Sequence, residues 1–344
     1  MGGRELGLGI IGCGMIAGWH ARAVSQIEGI RLSGFTDANF NAAAAFSREY
    51  GNKTFSSVEE LLSSKDIDVV SICTPSGLHA ELAIKAANAG KHIITEKPMA
   101  ITLKECDDII KACERNKVKM AVISQLRFSP DIMELKNAVE NGLLGKLVSG
   151  DIYMKFYRSQ EYYDKGGWRG TWKMDGGGAL MNQGIHGVDL LQYVMGPVKS
   201  VFGYVRTLVR NIEVEDTAAA VLEFANGALG IIQGTTSVFP GFPRRLEICG
   251  DKGTVVVVED RIAQWNIEGQ PAREDTTVSG AGSATSSNPV AFGIEGHVRQ
   301  IGNMVQAIRN NVRPWVDQYE GKKPVEIILA IYESSRTGKP VYLK

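Results

Sequence analysis

The chain has 344 residues, more than one domain of ordinary size, so its length predicts two domains. Hydrophobic residues make up 44% and charged residues 22% of the chain, as in ordinary globular proteins, and the formal net charge is zero. A zero net charge without a block of basic residues argues against nucleic-acid-binding and membrane-surface proteins.

The cysteines and the apolar segments indicate a cytoplasmic protein. The five cysteines are odd in number and form no Cys-x-x-Cys pair, so neither a disulfide framework nor a cysteine zinc site is expected. The N-terminal apolar segment is too short for a signal peptide, and no apolar run approaches the roughly 20 residues of a membrane span. We expect a soluble cytoplasmic protein without a nucleic-acid or membrane partner.

The first predicted elements indicate a dinucleotide site. Residues 6–11 form an apolar segment typical of a buried parallel strand, and residues 12–17 follow it with the pattern Gly-x-Gly-x-x-Ala. In this pattern the first glycine permits a tight turn, the second lets the backbone approach a pyrophosphate, and the small third residue lets helix and strand pack closely. The predicted pyrophosphate-binding residues, at the N-terminus of the next helix, are Gly12, Gly14, Met15 and Ile16.

A second predicted strand, at residues 30–36, ends at Asp37, an acidic residue at the position expected about 20 residues after the motif. A carboxylate there accepts hydrogen bonds from the adenosine ribose and repels a 2′-phosphate. No arginine follows at Ala38 or Asn39 to hold that phosphate. The sequence therefore predicts NAD rather than NADP.

Strand and helix patterns continue to alternate as far as residue 123, which predicts a parallel, doubly wound sheet. Ligands bind such sheets at the carboxyl ends of the strands. Three short stretches follow strand ends and supply further candidates for cofactor binding, namely Thr74, Pro75, Ser76, Glu96, Lys97 and Gln125. His79 is a candidate as well, although it could equally be a surface residue of the next helix.

Lys97 stands at a predicted strand end beside the nucleotide crevice, where an ammonium group could polarise a substrate oxygen. The alternative is a solvated surface lysine, as most lysines are. Pro98 fixes the turn directly after it, and an X-Pro bond can adopt the cis isomer at such a turn. This combination favours a functional role for Lys97.

The most unusual stretch of the second half covers residues 176–189. Three glycines precede a segment of helical spacing, in which Asn182, His186 and Asp189 would share one side of a helix. An amide, an imidazole and a carboxylate would then stand together beside a flexible turn. The alternative is a core helix whose polar side chains are satisfied internally.

With the Gly-x-Gly-x-x-Ala motif, Glu96-Lys97-Pro98 and the Gly-Gly…His186…Asp189 segment in this order, the chain resembles the Gfo/Idh/MocA oxidoreductase family over essentially its whole length. The resemblance implies an N-terminal Rossmann domain and a C-terminal α/β domain with a large, mostly antiparallel sheet. It implies sugars, cyclitols or nucleotide sugars as substrates, bound between the domains near the nicotinamide. It also implies that Lys97 is the catalytic lysine and His186 the proton-transferring histidine.

The chain departs from part of this family at Asn182. Inositol-dehydrogenase-like members carry an aspartate four residues before the histidine, whereas an amide can orient a hydroxyl but cannot stabilise an imidazolium by charge. The sequence of residues 181–191 looks closer to the branch that oxidises C3 of UDP-N-acetylglucosaminuronate. Residues 160–170 and 210–217 are similar to that branch too. Relatives acting on other sugars could share these stretches.

Four residues of the second half are added as candidates for substrate binding. Arg127 follows a strand end and is expected to face the substrate cleft, with solvent as the alternative. Arg158, Trp168 and Arg169 lie in an unusually aromatic loop. Sugar-binding loops use such a mixture of rings and arginines, whereas the alternative is simple cover for the following helix. Lys97, Asn182 and His186 complete the predicted substrate site.

From residue 198 to 267 the pattern changes to strands joined by turns such as Asn226-Gly227, which predicts antiparallel hairpins. Residues 228–234 are apolar on both alternations, so the face of the sheet without helices is expected to pack on another subunit, in a homodimer or homotetramer. Residues 269–293 are predicted to form a long loop, and helices over 295–311 and 325–337 close the domain.

The predicted fold class is α/β. It combines an NAD-binding Rossmann domain over residues 1–125 with an α+β domain over residues 126–344, whose large, mostly antiparallel sheet has an open face. The second domain is expected to bind substrate and to mediate oligomerisation.

The predicted function is that of an NAD-dependent dehydrogenase oxidising a secondary hydroxyl of a sugar or nucleotide sugar, C3 of a UDP-aminouronate being one option. His186 would accept the hydroxyl proton, Lys97 would polarise the oxygen, and Asn182 would fix a neighbouring hydroxyl. No metal is expected. The alternatives are a keto-sugar or inosose reductase, a cyclitol dehydrogenase, a hydrolase that uses NAD transiently and, outside enzymes, an NAD-sensing regulatory protein.

Overall fold

The computed structural model describes residues 4–165, 167–275 and 293–343, which form two compact units. The first unit contains the chain up to Gln125 together with Gly293–Lys322. The second contains the chain from Leu126 onwards and resumes at Lys323. The prediction placed everything after residue 125 in one domain, whereas the chain returns to the first unit near its C-terminal end. None of the helices in the described residues is long and apolar enough to span a membrane.

The first unit is built on a six-stranded parallel sheet in the order β3-β2-β1-β4-β5-β6. Its strands are β1 (Leu6–Ile11), β2 (Ile30–Thr36), β3 (Lys53–Thr54), β4 (Val69–Ile72), β5 (His92–Thr95) and β6 (Met120–Val122). Its helices are α1 (Met15–Val24), α2 (Phe40–Tyr50), α3 (Val58–Ser63), α4 (His79–Asn88), α5 (Leu103–Asn116) and α9 (Glu295–Arg309). The strand order reverses between β1 and β4, the place where doubly wound sheets bind ligands. The predicted Rossmann sheet is confirmed.

Helix α9 belongs to this unit because its apolar side completes the core. Ile301, Met304 and Val305 are buried in one cluster with Ala17 and Ala21 of α1. The neighbouring Gln300 is also buried, and its side chain bonds the backbone after β6, accepting from the N–H of Ser124 at 2.9 Å and donating to the carbonyl of Val122 at 2.7 Å. Residues 293–322 are therefore held in this unit by the burial of apolar side chains of α9 and by the hydrogen bonds of the Gln300 side chain to the backbone at the end of β6.

The second unit contains a nine-stranded sheet in the order β14-β13-β12-β11-β7-β10-β9-β8-β15. Its strands are β7 (Leu147–Lys155), β8 (Val198–Arg206), β9 (Thr217–Phe224), β10 (Leu229–Thr235), β11 (Arg245–Gly250), β12 (Gly253–Val258), β13 (Arg261–Ile267), β14 (Arg273–Glu274) and β15 (Val341–Tyr342). The helices are α6 (Pro130–Glu140), α7 (Gln160–Asp164), α8 (Ile185–Met195) and α10 (Gln318–Thr337), which enters this unit at Lys323. Neighbouring described strands run antiparallel except β7 and β10, so the predicted mostly antiparallel sheet is confirmed.

The predicted hairpin at Asn226-Gly227 joins β9 to β10, with Glu223 opposite Leu229. The predicted loop over residues 269–293 is interrupted by the short strand β14, which pairs with β13. Residues 276–292 of that loop lie outside the described residues.

The two faces of the second sheet differ in burial. Ile152, Leu222 and Ile232 are at most 3% exposed on one face, which α8 covers. The helix approaches the strands closely at Gly187, where a Cβ atom would lie 2.3 Å from the sulfur of Met154. The alternate residues point to the other face, where Val221, Leu229 and Ile231 are exposed.

A buried ion pair joins the chain after β6 to α8. The guanidinium of Arg127 donates from Nε to Asp189 Oδ2 at 2.8 Å and from Nη2 to Asp189 Oδ1 at 2.6 Å. The two side chains are 4% and 3% exposed, and the guanidinium lies 4.4 Å from the centre of the Tyr193 ring. Arg127 and Asp189 therefore form a structural link within this unit, and the substrate-facing role of Arg127 stays a prediction.

We predict that Asp189→Ala lowers the free energy of unfolding by about 3–5 kcal/mol, because it leaves the Arg127 guanidinium buried without its counter-charge. Denaturant titration of the purified protein measures the loss. The matched control is Asp108→Ala, which breaks the solvent-exposed pair between Lys104 and Asp108 and should cost much less stability than Asp189→Ala. Equal losses in the two variants would show that burial does not govern the Arg127 pair.

Candidate active site

The glycine-rich turn after β1 has the geometry that phosphate binding needs. Gly12 has φ +91°, and a Cβ atom there would lie 2.8 Å from the carbonyl oxygen of Cys73, so only glycine fits. Gly14 precedes α1, which has no side-chain cap, and nothing lies within 4 Å of the place of a Gly14 Cβ. The N–H groups of the first turn, beginning at the exposed Met15, therefore suit an anion. Ile16 is half-buried in the same turn.

Asp37 is held beside this turn. Its Oδ2 accepts a hydrogen bond from the N–H of Cys13 at 2.7 Å, and its Oδ1 accepts one from the N–H of Asn39 at 2.7 Å. Each carboxylate oxygen can accept a further hydrogen bond. The arrangement fits the two hydroxyls of an adenosine ribose, as the sequence predicts.

Two other predicted cofactor residues carry buried polar atoms that lack a hydrogen-bond partner among the described residues. They are Thr74, through Oγ1, and Gln125, through Oε1. They follow β4 and β6, at the edge where the carboxyl ends of the parallel strands meet. A buried unsatisfied polar atom costs about 1–3 kcal/mol, and a nucleotide with amide and hydroxyl groups offers the missing partners. Pro75 and the buried Ser76 continue the Thr74 turn.

His79 ties two loops together. The side chain is 1% exposed, with Nδ1 2.7 Å from the carbonyl oxygen of Pro98 and Nε2 2.9 Å from that of Thr74. Burial lowers the pKa of His79, so the neutral form is favoured, and a neutral imidazole donates to only one of these two oxygens. Because the side chain is buried, the alternative of a surface residue is wrong, while the cofactor contact of His79 stays a prediction. The Lys97–Pro98 peptide bond beside it is cis, and Lys97 itself is half-buried.

Glu96 lies beneath the same turn rather than at its surface. Its Oε1 is 3.0 Å from His20 Nε2 and 3.7 Å from His297 Nε2, and its Oε2 accepts from the N–H of Lys97 at 3.2 Å. Burial alone would raise the pKa of Glu96, but the hydrogen bond with His20 and the nearby imidazole of His297 outweigh it and hold the pKa well below its usual range. Glu96 thus supports the Lys97 turn from within.

The three side chains of this cluster, His20, Glu96 and His297, present ligand atoms within 4.8 Å of one another, and they are of the types that zinc binds. The sequence analysis did not predict this grouping. The three positions are too far apart in the chain to form a recognisable motif.

In the second unit, Asn182 lies in a π-helical segment, Ala179–Gly184, which precedes α8. His186 is the second residue of α8 and is half-buried. The wider π turn changes the spacing, so Asn182, His186 and Asp189 do not lie on one continuous α-helix as predicted. Single π turns are frequent at functional sites.

Glu215 holds the beginning of this π-helical segment. Its carboxylate accepts hydrogen bonds from the N–H groups of Gly178 at 2.9 Å and Leu180 at 2.8 Å, and from the hydroxyl of Tyr332 at 2.9 Å. Burial raises the pKa of Glu215 to about 7 even though these donors favour the charged form. The backbone that leads to Asn182 and His186 is thus fixed by a carboxylate from a distant part of the chain.

Asn182 also belongs to a polar side-chain network. Its Nδ2 donates to Oδ1 of the buried Asp175 at 2.5 Å, and its Oδ1 accepts from Gln183 Nε2 at 2.9 Å. Gln183 Oε1 accepts from Arg158, from Nε at 3.2 Å and from Nη2 at 2.8 Å. The remaining N–H of Gln183 Nε2 donates to the hydroxyl of Tyr162 at 2.9 Å. The structure therefore brings two predicted residues, Asn182 and Arg158, into one network.

Three arginines gather around two tyrosines in the same unit. The guanidinium carbons of Arg158 and Arg169 lie 5.9 and 4.8 Å from the centre of the Tyr162 ring, and that of Arg210 lies 5.1 Å from the ring of Tyr157. Arg158 is 5% exposed, and burial lowers its pKa. The Nε atoms of Arg169 and Arg210 are buried without a hydrogen-bond partner among the described residues. Trp168 is half-buried, 4.9 Å from the guanidinium of Arg169.

Sequence reasoning overlooked four residues of this unit as site residues, namely Asp175, Gln183, Arg210 and Glu215. Asp175 directly precedes the three glycines, and Gln183 directly follows Asn182, so both stood beside recognised residues. Arg210 and Glu215 stood within the stretch over residues 210–217 that supported the resemblance. No local pattern distinguished these residues from ordinary surface polar residues.

Comparison with known proteins agrees with this architecture. Residues 6–124 match the model of the oxidoreductase family with an NAD-binding Rossmann fold, and residues 132–256 match the GFO/IDH/MocA C-terminal domain. The crystal structure of the WlbA dehydrogenase from Bordetella pertussis, in complex with NADH and UDP-GlcNAcA, is 35% identical, covers 99% of each chain and superimposes with a TM-score of 0.89.

Two curated relatives act on other polyols. The myo-inositol 2-dehydrogenase of Thermotoga maritima is 30% identical in an alignment of 263 positions that covers 72% of this chain and 74% of the relative. The D-glucoside 3-dehydrogenase of Escherichia coli is 26% identical in an alignment of 363 positions that covers 98% of this chain and 97% of the relative. With both halves matched by family models and these relatives aligned along most of their length, the chain belongs to the Gfo/Idh/MocA family of NAD-binding oxidoreductases, whose members include dehydrogenases of sugars and cyclitols.

Proposed function

We propose that this protein is an NAD-dependent dehydrogenase that oxidises C3 of a UDP-aminouronate, with UDP-N-acetylglucosaminuronate as the leading candidate. The observation that carries the proposal is the arginine cluster of the second unit, Arg158, Arg169 and Arg210 around Tyr157 and Tyr162. The similarity to the WlbA dehydrogenase, whose structure contains NADH and UDP-GlcNAcA, supports the same choice.

The positive charge of this arginine cluster favours an anionic substrate. A guanidinium is costly to remove from water unless an anion or hydrogen-bond acceptors compensate it, and Arg169 and Arg210 each keep a buried Nε without an acceptor among the described residues. Planar guanidiniums bind carboxylates and phosphates with paired hydrogen bonds. A UDP-uronate supplies both a carboxylate and a pyrophosphate, whereas a cyclitol or an unmodified sugar supplies neither. The cluster therefore favours an anionic nucleotide sugar over inositol or levoglucosan.

The proposed chemistry divides the work between two side chains. His186 accepts the proton of the substrate hydroxyl, since imidazole titrates near neutral pH. Lys97 donates a hydrogen bond to the same oxygen and stabilises the negative charge that develops on it. Asn182 holds a neighbouring group of the substrate. Bound NAD supplies the hydride acceptor. The turn over residues 12–16 and Asp37 hold the dinucleotide, and Thr74 and Gln125 offer it polar contacts.

The same residues could work in the opposite direction as a keto-sugar reductase, and the similarity to an inositol dehydrogenase keeps a cyclitol as the rival substrate. A panel of UDP-GlcNAcA, UDP-N-acetylglucosamine, myo-inositol and levoglucosan, followed by NADH absorbance, separates these functions. Fast NADH consumption with ketones and poor turnover of alcohols would favour the reductase.

We also propose that the open face of the second sheet packs on another copy of this chain. Val221 and Ile231 lie opposite each other in the register of β9 and β10, and Leu229 is the next residue but one along β10 on the same face. They are 54%, 39% and 63% exposed. Adjacent exposed aliphatic residues on a flat sheet favour burial against a like surface.

For the catalytic pair, we predict that His186→Ala and Lys97→Met each lower kcat by about 10²–10⁴-fold, because one removes the proton acceptor and the other the charge on the oxygen. NAD affinity, measured by calorimetry, should stay near the wild-type value. His92→Ala is the control, since this imidazole stands at the start of β5, the opposite end from Lys97. Wild-type turnover in either test variant would remove that residue from the mechanism.

For the substrate, we predict that Arg169→Gln raises KM for UDP-GlcNAcA by about 10–100-fold, the worth of one charge-assisted contact. Steady-state kinetics on the substrate panel measures the change, and neutral sugars should be affected much less. Arg273→Gln is the matched control, because Arg273 lies 4.3 Å from the centre of the Trp265 ring in a similar stacking contact but on the exposed edge strand β14. Preference of the wild-type enzyme for a neutral sugar would contradict the assignment.

For the assembly, we predict that Val221→Arg converts the oligomer into a species of about the chain mass, 37.3 kDa, because a charge replaces an apolar contact. Size-exclusion chromatography with light scattering gives the mass. Val312→Arg is the control, since Val312 is also 54% exposed but follows α9 in the first unit. A monomeric wild-type protein would refute the proposed interface.

A further inference from the structure

We propose that Asp175 is a positioning residue for the reaction, and that it fixes the orientation of the Asn182 amide. It does so as the anionic end of a hydrogen-bonded chain that runs through Asn182 and Gln183 to Arg158. The inference rests on the proposed function, in which Asn182 holds a group of the substrate.

The anionic end of the chain is firmly fixed. Asp175 is 1% exposed, and its Oδ2 accepts a hydrogen bond from the N–H of Gly170 at 2.9 Å. Its Oδ1 accepts from Asn182 Nδ2 at 2.5 Å. The carboxylate thus joins the arginine-bearing loop, through Gly170, to the π-helical segment that carries Asn182.

The middle of the chain has no spare hydrogen-bonding capacity. A glutamine amide offers two donors and two acceptor lone pairs. Gln183 donates to Tyr162 Oη and to Asn182 Oδ1, both at 2.9 Å, and its Oε1 accepts twice from Arg158. Gln183 therefore connects the orientation of the Asn182 amide to Arg158 and has no hydrogen-bonding group left for a ligand.

The two charged ends determine the direction of the chain. A carboxylate only accepts hydrogen bonds, and a guanidinium only donates them. The amides of Asn182 and Gln183 must therefore both turn their nitrogen towards Asp175 and their oxygen towards Arg158. This settles the placement of amide nitrogen and oxygen, which geometry alone does not distinguish. Asp175 completes this order because it accepts from two donors at once, the N–H of Gly170 and Nδ2 of Asn182.

The orientation of Asn182 matters because an amide is a donor on one side and an acceptor on the other. If the amide turned over, a substrate group that hydrogen-bonds Asn182 would meet a donor where it had met an acceptor. An asparagine at position 175 has one acceptor oxygen for two donors, so when its oxygen accepts from the N–H of Gly170 its own nitrogen opposes Asn182 Nδ2 and disfavours the native orientation. The shape of the site would be nearly unchanged, while its donor and acceptor pattern would no longer be unique.

The first test uses Asp175→Asn in the full-length enzyme. KM for UDP-GlcNAcA should rise about 10-fold or more, because the hydrogen bonds from Asn182 are lost in part of the population. NAD affinity should be unchanged, and kcat should fall less than KM rises. Asp164→Asn is the matched control, since Asp164 accepts from the amide of Gln160 at 2.9 Å on the exposed side of α7. It should leave KM as in the wild-type enzyme.

The second test probes the contact without using activity. Asn182→Asp places a second carboxylate against Asp175, and two carboxylates at hydrogen-bonding distance cannot both ionise cheaply. The Tm of this variant should fall relative to wild type as the pH rises from about 4 to 8, where carboxylates ionise. In the double variant Asp175→Asn with Asn182→Asp, one amide again donates to one carboxylate, and this pH-dependent loss should disappear.

The outcomes separate the two proposals. An active wild-type enzyme whose Asp175→Asn variant keeps the wild-type KM, or loses only Tm, overturns the positioning role and leaves the proposed function intact. A Tm of Asn182→Asp that follows wild type at every pH overturns the contact itself. A wild-type protein that forms no NADH from any substrate of the panel overturns the proposed function, and the positioning role falls with it.

Discussion

The conformations that carry the candidate catalytic residues depend on buried carboxylates that must find donors. Glu96 lies beneath the Lys97 turn, Asp175 holds the amide of Asn182, Glu215 holds the start of the π-helical segment, and Asp189 fixes α8 through Arg127. A buried carboxylate without donors is strongly destabilising, so each of these groups selects the one backbone arrangement that brings its donors close. The irregular backbone at these turns is stabilised because its N–H groups donate hydrogen bonds to the carboxylates.

The partners of each carboxylate decide its charge state, and the pKa values of Glu96 and Glu215 shift in opposite directions. Glu96 stands against the imidazoles of His20 and His297, and these hold its pKa well below the usual range despite burial. Glu215 receives hydrogen bonds from backbone N–H groups and a tyrosine hydroxyl, without a positive charge, and burial raises its pKa to about 7. The turn of Lys97 therefore rests on a fixed negative charge, whereas the segment leading to His186 rests on a carboxyl group that titrates near neutral pH.

The first half of the fold could be predicted because its signals are local. The glycine pattern after β1, the acidic residue at the end of β2 and the alternation of strands with helices each lie within a short stretch, and the structure repeats them. The return of residues 293–322, the π-helical segment and the carboxylate contacts could not be read in this way. Glu215 finds its donor at Gly178, and Arg127 finds Asp189 62 residues away, so no spacing rule connects them.

Substrate recognition and amide orientation share one side chain, and this links the two proposals physically. Arg158 is a member of the arginine cluster and is also the cationic end of the chain that begins at Asp175. Two of its nitrogens are committed to Gln183, so the paired contacts that an anionic substrate needs must come mainly from Arg169 and Arg210, whose Nε atoms lack partners among the described residues. An anion bound there would also be attracted by Arg158, the guanidinium that orients the amide of Asn182 through Gln183. In the proposed function, the charge of the substrate would therefore lie beside the guanidinium that orients the Asn182 amide through Gln183.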